Sequence, residues 1–359
     1  MRVLFISRAS FYSDKGGDTI QALNTAEQLR QLGVSIDIKL CNERIDYSKY
    51  DLIHFFNIIR PADILRHIQK SGKPFVVSTI YVDYSEYEKK MRKGIAGWLF
   101  RTIPPDLIEY AKAIARSVVG GEKIISPSYI LLGQKRSVKK IIRQASMLLP
   151  NSENEYKRLV NHFQIGQKYR VIPNAIDPEL FNAVSGRMAR IKNRVLCVGR
   201  IEGRKNQLNL IKAIKGSTFE LFVIGSPAPN QSAYYKACKQ AAGPNVHFIE
   251  NIPQEKLIDF YLSAQIHVLP SWFETTGLSS LEAAAMGCQI VVTDKGDTRE
   301  YFENLAHYCD PSLPDSILKA IEEAAIAKPA KALQEKIITK YIWPVTAAKT
   351  LEAYKIALQ

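Results

Sequence analysis

Two glutamates lie eight residues apart in the segment SWFETTGLSSLEAAAMG, residues 271–287. Glu274 falls in a loop after an apolar run, and Glu282 falls inside a helix predicted to open near Leu278. The unpaired N–H groups and positive dipole end at the start of a helix attract phosphate. Carboxylates beside that phosphate can accept hydrogen bonds from hydroxyls, such as those of a sugar or a ribose.

The alternative is that both glutamates are ordinary solvated charges. Glu282 argues against it, because the surrounding LEAAAMG is small and apolar and is predicted to be buried. A charge in such a helix needs a partner. The segment therefore favours a binding site over a surface helix.

A second group of candidates, GRIEGRKNQ, follows directly after the predicted strand RVLCV. It therefore lies at the carboxyl edge of a sheet, where open α/β sheets bind ligands. Arg200 and Lys205 could both contact one diphosphate, Arg through its planar fork and Lys as a point charge. A basic turn without function is the other interpretation.

A glycine pair follows the first predicted strand, in the loop SDKGGD. Gly16 and Gly17 would let the backbone approach a ligand closely. The loop is not G-x-G-x-x-G, so the dinucleotide fingerprint is absent here.

Two series of alternating strands and helices position these residues. The first begins at RVLFIS, and the second begins at Arg194. Such alternation predicts an α/β fold with parallel sheets covered by helices. The series join near KYRVIPNAIDPELF, a predicted hinge. We expect residues 1–172, joined by a terminal helix over 344–359, to form one domain and residues 173–343 the other. The Ser152–Glu155 spacing predicts a capping box at a helix start.

Four motifs occur in order along the chain: GGD after the first strand, PNAID at the hinge, GR…K after the next domain's first strand, and the E-x7-E unit. Together they resemble glycosyltransferase family 4, also described as glycosyl transferases group 1. The likeness is to the retaining enzymes of bacterial surface-polysaccharide synthesis. It implies a GT-B fold: two Rossmann-like domains with a donor/acceptor cleft between them, the first on the acceptor side and the second binding the nucleotide sugar. It also implies that the terminal helix returns to the first domain.

The resemblance also implies roles at the matching positions. Arg200 and Lys205 would hold the donor diphosphate, Glu282 would bind the ribose, and Glu274 would contact the transferred sugar. The backbone of Thr276, Gly277 and Leu278 would lie beside that sugar, and Gly16 and Gly17 would close over the donor. Glu274, Arg200 and Lys205 are thus the candidate catalytic residues.

The chain departs from the family where a His-Asp-like pair often follows the strand that here reads PFVVSTI. It has YVDYSEYE instead, so Tyr81 or Asp83 could contact the sugar or acceptor. His54, in DLIHFFN, is expected to end a neighbouring strand and is a further candidate, and a core or loop histidine is the competing interpretation.

No metal is expected at this site, because neither Asp-x-Asp nor H-E-x-x-H occurs in the chain. The expected reaction is transfer of a hexose or related sugar from a nucleotide diphosphate sugar without a cofactor. A lipid-linked oligosaccharide in cell-surface polysaccharide synthesis is the expected acceptor. The alternative is a soluble acceptor, as in a sugar-phosphate or small glycoside synthase.

The net charge of +14 lies mostly in the first half: residues 1–165 hold 26 Lys and Arg against 16 Asp and Glu. Two basic segments with large apolar residues, 89–101 and 135–143, suit an anionic membrane surface. No signal peptide and no run of about 20 apolar residues is evident. Five scattered cysteines favour reduced core thiols. We therefore expect a cytoplasmic protein, attached peripherally to the inner face of the cell membrane.

Two other classes fit less well. The charge alone would suit a nucleic-acid-binding protein, but no recognition module with stacking aromatics appears. The Rossmann-like pattern would suit a nicotinamide oxidoreductase, but the missing G-x-G-x-x-G argues against it, and fold alone does not establish function.

Overall fold

The structure is a computed structural model that describes residues 1–14, 16–83, 86–87, 105–119, 126–181, 189–250 and 252–359. Two compact units divide it: Met1–Asn174 with Trp343–Gln359, and Ala175–Ile342. The boundary falls two residues after the one expected from the sequence, and the terminal segment begins one residue earlier.

The first unit alternates strands and helices along the chain, as the apolar runs predict. Its described elements are β1 (Arg2–Ser7), α1 (Gly17–Gln31), β2 (Ser35–Leu40), β3 (Leu52–Phe56), α2 (Pro61–Ser71), β4 (Phe75–Ser78), α3 (Pro105–Val119), α4 (Pro127–Gln144), β5 (Met147–Leu149), α5 (Glu153–Phe163) and α13 (Trp343–Ala357). The strands form one parallel sheet in the order β2-β1-β3-β4-β5.

Both faces of this sheet are covered, so its central strands are apolar on both sides. Helix α13 packs against α1 on one face. Its Tyr354 is fully buried, and the hydroxyl lies 2.6 Å from Nδ1 of His54 on β3. On the surface of the same helix, Glu352 pairs with Arg170. The last helix therefore belongs to the first unit.

The second unit repeats the pattern over one continuous stretch. Its elements are β6 (Ile191–Val198), α6 (Gln207–Ile214), β7 (Glu220–Ile224), α7 (Ser232–Ala241), β8 (Val246–Ile249), α8 (Gln254–Ser263), β9 (Ala264–Leu269), α9 (Leu278–Ala285), β10 (Gln289–Thr293), α10 (Thr298–Phe302), β11 (His307–Cys309), α11 (Pro314–Ile326) and α12 (Lys331–Lys340). From β6 to β10 strands and helices alternate, as the series that begins at Arg194 predicts.

The six strands of the second unit are parallel and run β11-β10-β9-β6-β7-β8 across the sheet. The chain moves one way from β6 through β7 to β8, then returns to the other side of β6 as β9. The order therefore reverses between β6 and β9. Such a reversal leaves a crevice at the carboxyl ends of the two strands, where ligands bind in open α/β sheets.

The predicted capping box at α5 is half formed. The Ser152 hydroxyl accepts from the backbone N–H of Glu155 at 2.9 Å. The Glu155 carboxylate accepts from the N–H of Asn151 rather than from that of Ser152. Its second oxygen is engaged by residues 79–81, which a local motif does not reveal.

All five cysteines are buried, and no disulfide joins any of them. Leu32 continues the helical spacing of Ala26 and Leu29, but it follows the end of α1 and is exposed. Among the described residues, no helix combines the length and apolar character needed to span a membrane.

Candidate active site

An ion pair stands at the reversal point of the second sheet. Lys205 lies in the turn after β6, and Glu274 lies in the loop after β9. The Lys205 ammonium is 2.6 Å from Oε2 of Glu274, and the same oxygen accepts from the Ser271 hydroxyl at 3.0 Å. The Glu274 side chain is nearly buried, whereas about a quarter of the Lys205 side chain is exposed. The sequence-predicted pair thus meets at one open edge.

Backbone pairing fixes Glu274 from both sides. Its N–H donates to the carbonyl of Lys295 at 3.2 Å, and its carbonyl accepts from the N–H of Asp297 at 2.9 Å. Between those partners Gly296 has φ +100°, and a methyl group there would overlap the Glu274 carbonyl oxygen. Only glycine permits this close approach of the two loops. The loop after β10 therefore holds the Glu274 backbone in place.

The turn that carries Lys205 is anchored in the same way. Asn206, with φ +62°, donates from its side-chain amide to the carbonyls of Pro270 and Pro311, at 3.1 and 2.7 Å. The N–H of Trp272 donates to the carbonyl of Arg204 at 2.9 Å. These bonds join the turn after β6 to the loop after β9, so that Lys205 and Glu274 are held by one network.

Helix α9 begins beside this pair. Its N-cap is Gly277, with φ +69°, and side chains of Leu269, Ser280 and Glu274 lie within 3.3 Å of where a Cβ would be. The Ser279 hydroxyl donates to the carbonyl of Val198 at the end of β6. The helix start, with Thr276, Gly277 and Leu278, is thereby tied to the same edge from which Arg200 extends.

Glu282 lies in the second turn of α9, and Tyr261 of α8 is its partner. The Tyr261 hydroxyl donates to Oε2 of Glu282 at 2.8 Å. Glu282 itself is only half-buried, but protein atoms crowd its carboxylate and raise its pKa to about 7, which the Tyr261 hydrogen bond partly offsets. The partner that the sequence demanded for this charge is a tyrosine hydroxyl and not a cation.

His267, on β9, lies beneath the site and is fully buried. Neither ring nitrogen has a hydrogen-bond partner within the described residues. Burial, with a smaller contribution from the positive charge of Lys205, lowers its pKa to about 3. The imidazole is therefore neutral at physiological pH.

In the first unit, the predicted glycine loop is organised by a residue that the sequence did not single out. The Arg8 guanidinium makes two bonds to the Asp18 carboxylate, at 2.8 and 3.1 Å, and donates to the Asp14 carbonyl at 2.6 Å. Gly16 is the N-cap of α1, and Gly17 is its first residue. Arg8 thus fixes the backbone on both sides of the glycines.

The three candidates for an acceptor contact behave differently. His54 is a core residue: Nε2 lies 2.8 Å from the Ser78 hydroxyl, and burial lowers its pKa to about 3. Tyr81 is also buried, with its ring against Phe163. Neither side chain is open to a sugar, whereas the third candidate, Asp83, is exposed.

The loop that carries Tyr81 is held by Glu155. This fully buried carboxylate accepts from the Thr79 hydroxyl and from the N–H groups of Tyr81 and Asn151. Three donors compensate for the burial of one charge. Glu155 of α5 therefore holds the backbone of the residues that follow β4.

Of the two basic segments, 89–101 lies outside the described residues. In 135–143, part of α4, the apolar Val138, Ile141 and Ile142 are fully buried. They are core residues, whereas Lys135 and Arg136 are exposed. The interleaved pattern in this segment therefore comes from a helix with one core face and one basic face.

Comparison with known proteins gives a family match within the second unit. Residues 187–340 match the family model Glycosyl transferases group 1. Residues 187–340 are a group 1 glycosyltransferase domain.

Relatives and solved structures extend the likeness to the first unit. D-inositol 3-phosphate glycosyltransferase of Corynebacterium aurimucosum is 24% identical over 79% of this chain and 76% of its own. Sucrose-phosphate synthase of Thermosynechococcus elongatus superposes with a TM-score of 0.75 at 18% identity, covering 99% of this chain and 98% of its own. HepE of Anabaena, solved with UDP and glucose, gives 0.70 at 14% identity over 99% of both chains. The chain has the GT-B fold, two parallel-sheet Rossmann-like units.

Within the glycosyltransferase domain, the sequence motifs did not identify Tyr261, Ser271 and Asn206 as site residues. Tyr261 and Ser271 donate to motif glutamates that lie 21 and 3 positions away. Asn206 donates to the carbonyl of Pro270, 64 positions away. Ser271 and Asn206 stand inside the quoted segments and could have been noticed there. Tyr261 carries no such signal, because it reads as one more aromatic on an amphipathic helix.

The arrangement offers cationic groups, a helix start and carboxylates at one edge. Within the described ranges, no group of three or more His, Cys, Asp or Glu side chains is placed to hold a metal ion. Cations and helix N–H groups can stabilise phosphate charge, and carboxylates can accept from hydroxyls. The domain can therefore bind a molecule that carries both.

Proposed function

We propose that this chain transfers a hexose or related sugar from a nucleotide diphosphate sugar to a soluble, phosphorylated or otherwise polar acceptor. The observation that carries the proposal is the Lys205–Glu274 pair, 2.6 Å apart at the reversal point of the second sheet and beside the start of α9. A cation for phosphate and a carboxylate for hydroxyls occur there in direct contact.

In this proposal Arg200 and Lys205 bind the diphosphate and Glu274 binds the transferred sugar. The backbone at 276–278 adds N–H groups next to it. Glu282, one helical turn further on, accepts from the ribose hydroxyls.

The proposed chemistry follows from where charge develops. Breaking the bond between the anomeric carbon and the phosphate oxygen leaves an oxocarbenium-like sugar and a diphosphate with growing negative charge. Lys205, Arg200 and the α9 start stabilise that charge without a metal, because they are already in place before the reaction. Attack of the acceptor on the face from which the diphosphate leaves would give retention.

Two observations favour a soluble acceptor. One relative is named for inositol 3-phosphate and one solved structure for the synthesis of sucrose phosphate, and both names refer to small phosphorylated compounds. The first 165 residues hold a clear excess of Lys and Arg. Such a field raises the local concentration of small anions.

A second candidate is a lipid-linked acceptor of surface-polysaccharide synthesis, met at the cytoplasmic face of a membrane. It is favoured by Ile130 and Leu131, 54% and 86% exposed, next to the basic Lys135 and Arg136 on α4. Exposed apolar groups beside basic ones suit an anionic bilayer. Flotation with anionic liposomes would support this acceptor, and failure to float with any liposome would leave the soluble one.

The donor site is tested by thermal shift with UDP, GDP, ADP and their sugar conjugates, with and without EDTA. A ligand that binds only the native state at 100 times its Kd adds about 2.7 kcal/mol to apparent stability. We expect one nucleotide to raise the Tm regardless of EDTA, and the shift to disappear in Glu282→Ala and Arg200→Ala. A shift that survives in both variants, or that needs a metal, would contradict the proposal.

A further inference from the structure

Among the described residues, only one of the two carboxylate oxygens of Glu282 accepts a hydrogen bond. Oε2 accepts from the Tyr261 hydroxyl at 2.8 Å. Oε1 makes no hydrogen bond within the part of the chain that the structure describes, and the residue is half-buried rather than sealed. An ionised carboxylate with a free oxygen still has lone pairs for incoming donors.

Tyr261 is held rigidly. Its ring is fully buried between Phe181 and His267, with ring centroids 6.1 Å away on either side. Its backbone carbonyl accepts from the Cys288 thiol and the Arg190 guanidinium, at 3.1 and 3.3 Å. A buried tyrosine hydroxyl needs a partner, and Glu282 is the one it has.

We propose that Tyr261 is a positioning residue for donor binding: it fixes one oxygen of Glu282 and leaves the other for the ribose hydroxyls of the nucleotide. This inference rests on the proposed function, because it assumes that Glu282 binds the donor. It adds a residue outside the glutamate motif, on a different helix, through which that glutamate acts.

The contact also sets the charge of Glu282. A protonated carboxyl offers fewer acceptor sites to a ribose than an ionised one. Burial raises the pKa of Glu282 to about 7, and the Tyr261 bond opposes that rise. Loss of the hydroxyl therefore moves the ionisation of Glu282 to higher pH, so that less of the carboxylate is ionised at neutral pH.

The ionisable groups near Glu282 do not change their charge in the pH range in which Glu282 titrates. On β9, His267 is neutral above about pH 4, since burial lowers its pKa to about 3. Burial raises the pKa of the Cys288 thiol, which stays protonated. Arg190 contacts backbone carbonyls of Tyr261, Ala264 and Met286. On α12, which packs against α9, Lys336 pairs with Glu303.

The test measures the Kd of a nucleotide sugar from pH 6 to pH 9 by calorimetry. UDP-glucose, GDP-mannose and ADP-glucose are the probes, because their diphosphate diesters have no proton to lose in this range. The variants are Tyr261→Phe, Glu282→Gln and the control Tyr341→Phe, which removes a hydroxyl bonded to the Glu300 carbonyl in the same unit.

Wild-type affinity should rise with pH through about 7. In Tyr261→Phe the midpoint should lie at higher pH, so that binding is weakened at pH 7 and approaches that of the wild type at pH 9. Glu282→Gln should bind weakly with no pH dependence, and Tyr341→Phe should match wild type.

Each other outcome overturns a different statement. Equal weakening of Tyr261→Phe at every pH, or no weakening, would overturn the positioning role while leaving the donor site intact. Wild-type binding by Glu282→Gln would remove Glu282 from donor binding, and Tyr261 with it. Failure of all three probes to bind the wild type would overturn the proposed function itself.

Discussion

The carboxyl edges of the two parallel sheets use their charged residues in opposite ways. In the second unit, Lys205 and Glu274 meet at an edge where the lysine is still partly exposed. In the first unit, Glu155 is fully buried against backbone N–H groups, and Arg8 is bonded to Asp18 within its own loop. At the edge of the second sheet the charged pair stays partly exposed, and at the edge of the first sheet the charged residues hold the loops in place.

This difference separates two meanings of a charged residue in a Rossmann-like unit. A buried charge that is fully bonded within the chain contributes to loop geometry. A charge held by a backbone network but left accessible remains available to a ligand. Removing the first kind should therefore change stability, and removing the second kind should change turnover.

The largest effect is expected from Lys205→Ala, which removes the cation beside Glu274. Loss of one preorganised group that stabilises transition-state charge costs about 10²–10³ in kcat. Turnover of the donor identified by thermal shift measures it, with Lys215→Ala, an exposed lysine after α6, as control. An unchanged kcat would place Lys205 outside the mechanism.

Next comes Glu155→Ala, which leaves the N–H groups of Tyr81 and Asn151 buried without an acceptor. Each unsatisfied buried donor costs about 1–3 kcal/mol, so we expect a loss of about 3 kcal/mol or more in the stability of the first unit. Calorimetric unfolding measures it. Glu153→Ala, at an exposed site on the same helix, should change stability by less than about 1 kcal/mol. Equal effects from both would contradict the distinction between the two edges.

Acid should destabilise the first unit more than the second. His54 and His67 are buried, and burial lowers their pKa to about 3 and about 4. Below pH 6.5 these histidines are protonated in the unfolded chain but stay neutral in the folded unit. The free energy of unfolding therefore falls as the pH falls. Each histidine contributes about 1.4 kcal/mol per pH unit in this window.

In the second unit burial lowers the pKa of His267 and of His307, whereas it raises the pKa of Glu282. His267 acts like the other buried histidines, but the raised pKa of Glu282, about 7, makes the folded state bind a proton first and gain stability as pH falls. Hydrogen exchange at pH 6.5 and 5 reports each unit separately. We expect loss of protection in the first unit, reduced in His67→Gln but unchanged in His247→Gln. Equal loss in both units would refute the assignment.

The smallest effect is expected at the surface of α13. Glu352→Ala breaks its exposed pair with Arg170 and should cost less than about 1 kcal/mol. Tyr354→Phe, on the buried side of the same helix, leaves Nδ1 of His54 without its partner and should cost about 1–3 kcal/mol. Chemical denaturation of both variants compares them directly. A larger loss for Glu352→Ala would mean that this helix is held by its surface.

Periodicity and motif spacing predicted most of the fold and the motif residues of the site. The apolar runs gave the strands from β6 to β10, and the E-x7-E spacing placed Glu274 and Glu282 around the start of α9. Their long-range partners were beyond reach. The bond between Tyr261 and Glu282 depends on how α8 packs, and the bonds of Glu155 reach residues 74 and 76 positions away. Local sequence patterns do not predict hydrogen bonds between residues so far apart in the chain.

His54 shows the same limit from the other side. The sequence predicted this histidine at the end of a strand, where it could face a ligand or the core, but it lies inside β3. Its two ring nitrogens find Ser78 and Tyr354, and the second of these lies 300 residues away. Only the packing of the last helix decides between the two interpretations.

The return of the last helix has a consequence for biosynthesis. Residues 175–342 are contiguous and can fold as soon as they leave the ribosome, whereas the first unit lacks α13 until residues 343–359 have been made. Since contacts between distant segments form late, the unit whose synthesis begins first should be completed last. In the interval, the side of α1 that α13 covers stays exposed to water and chaperones.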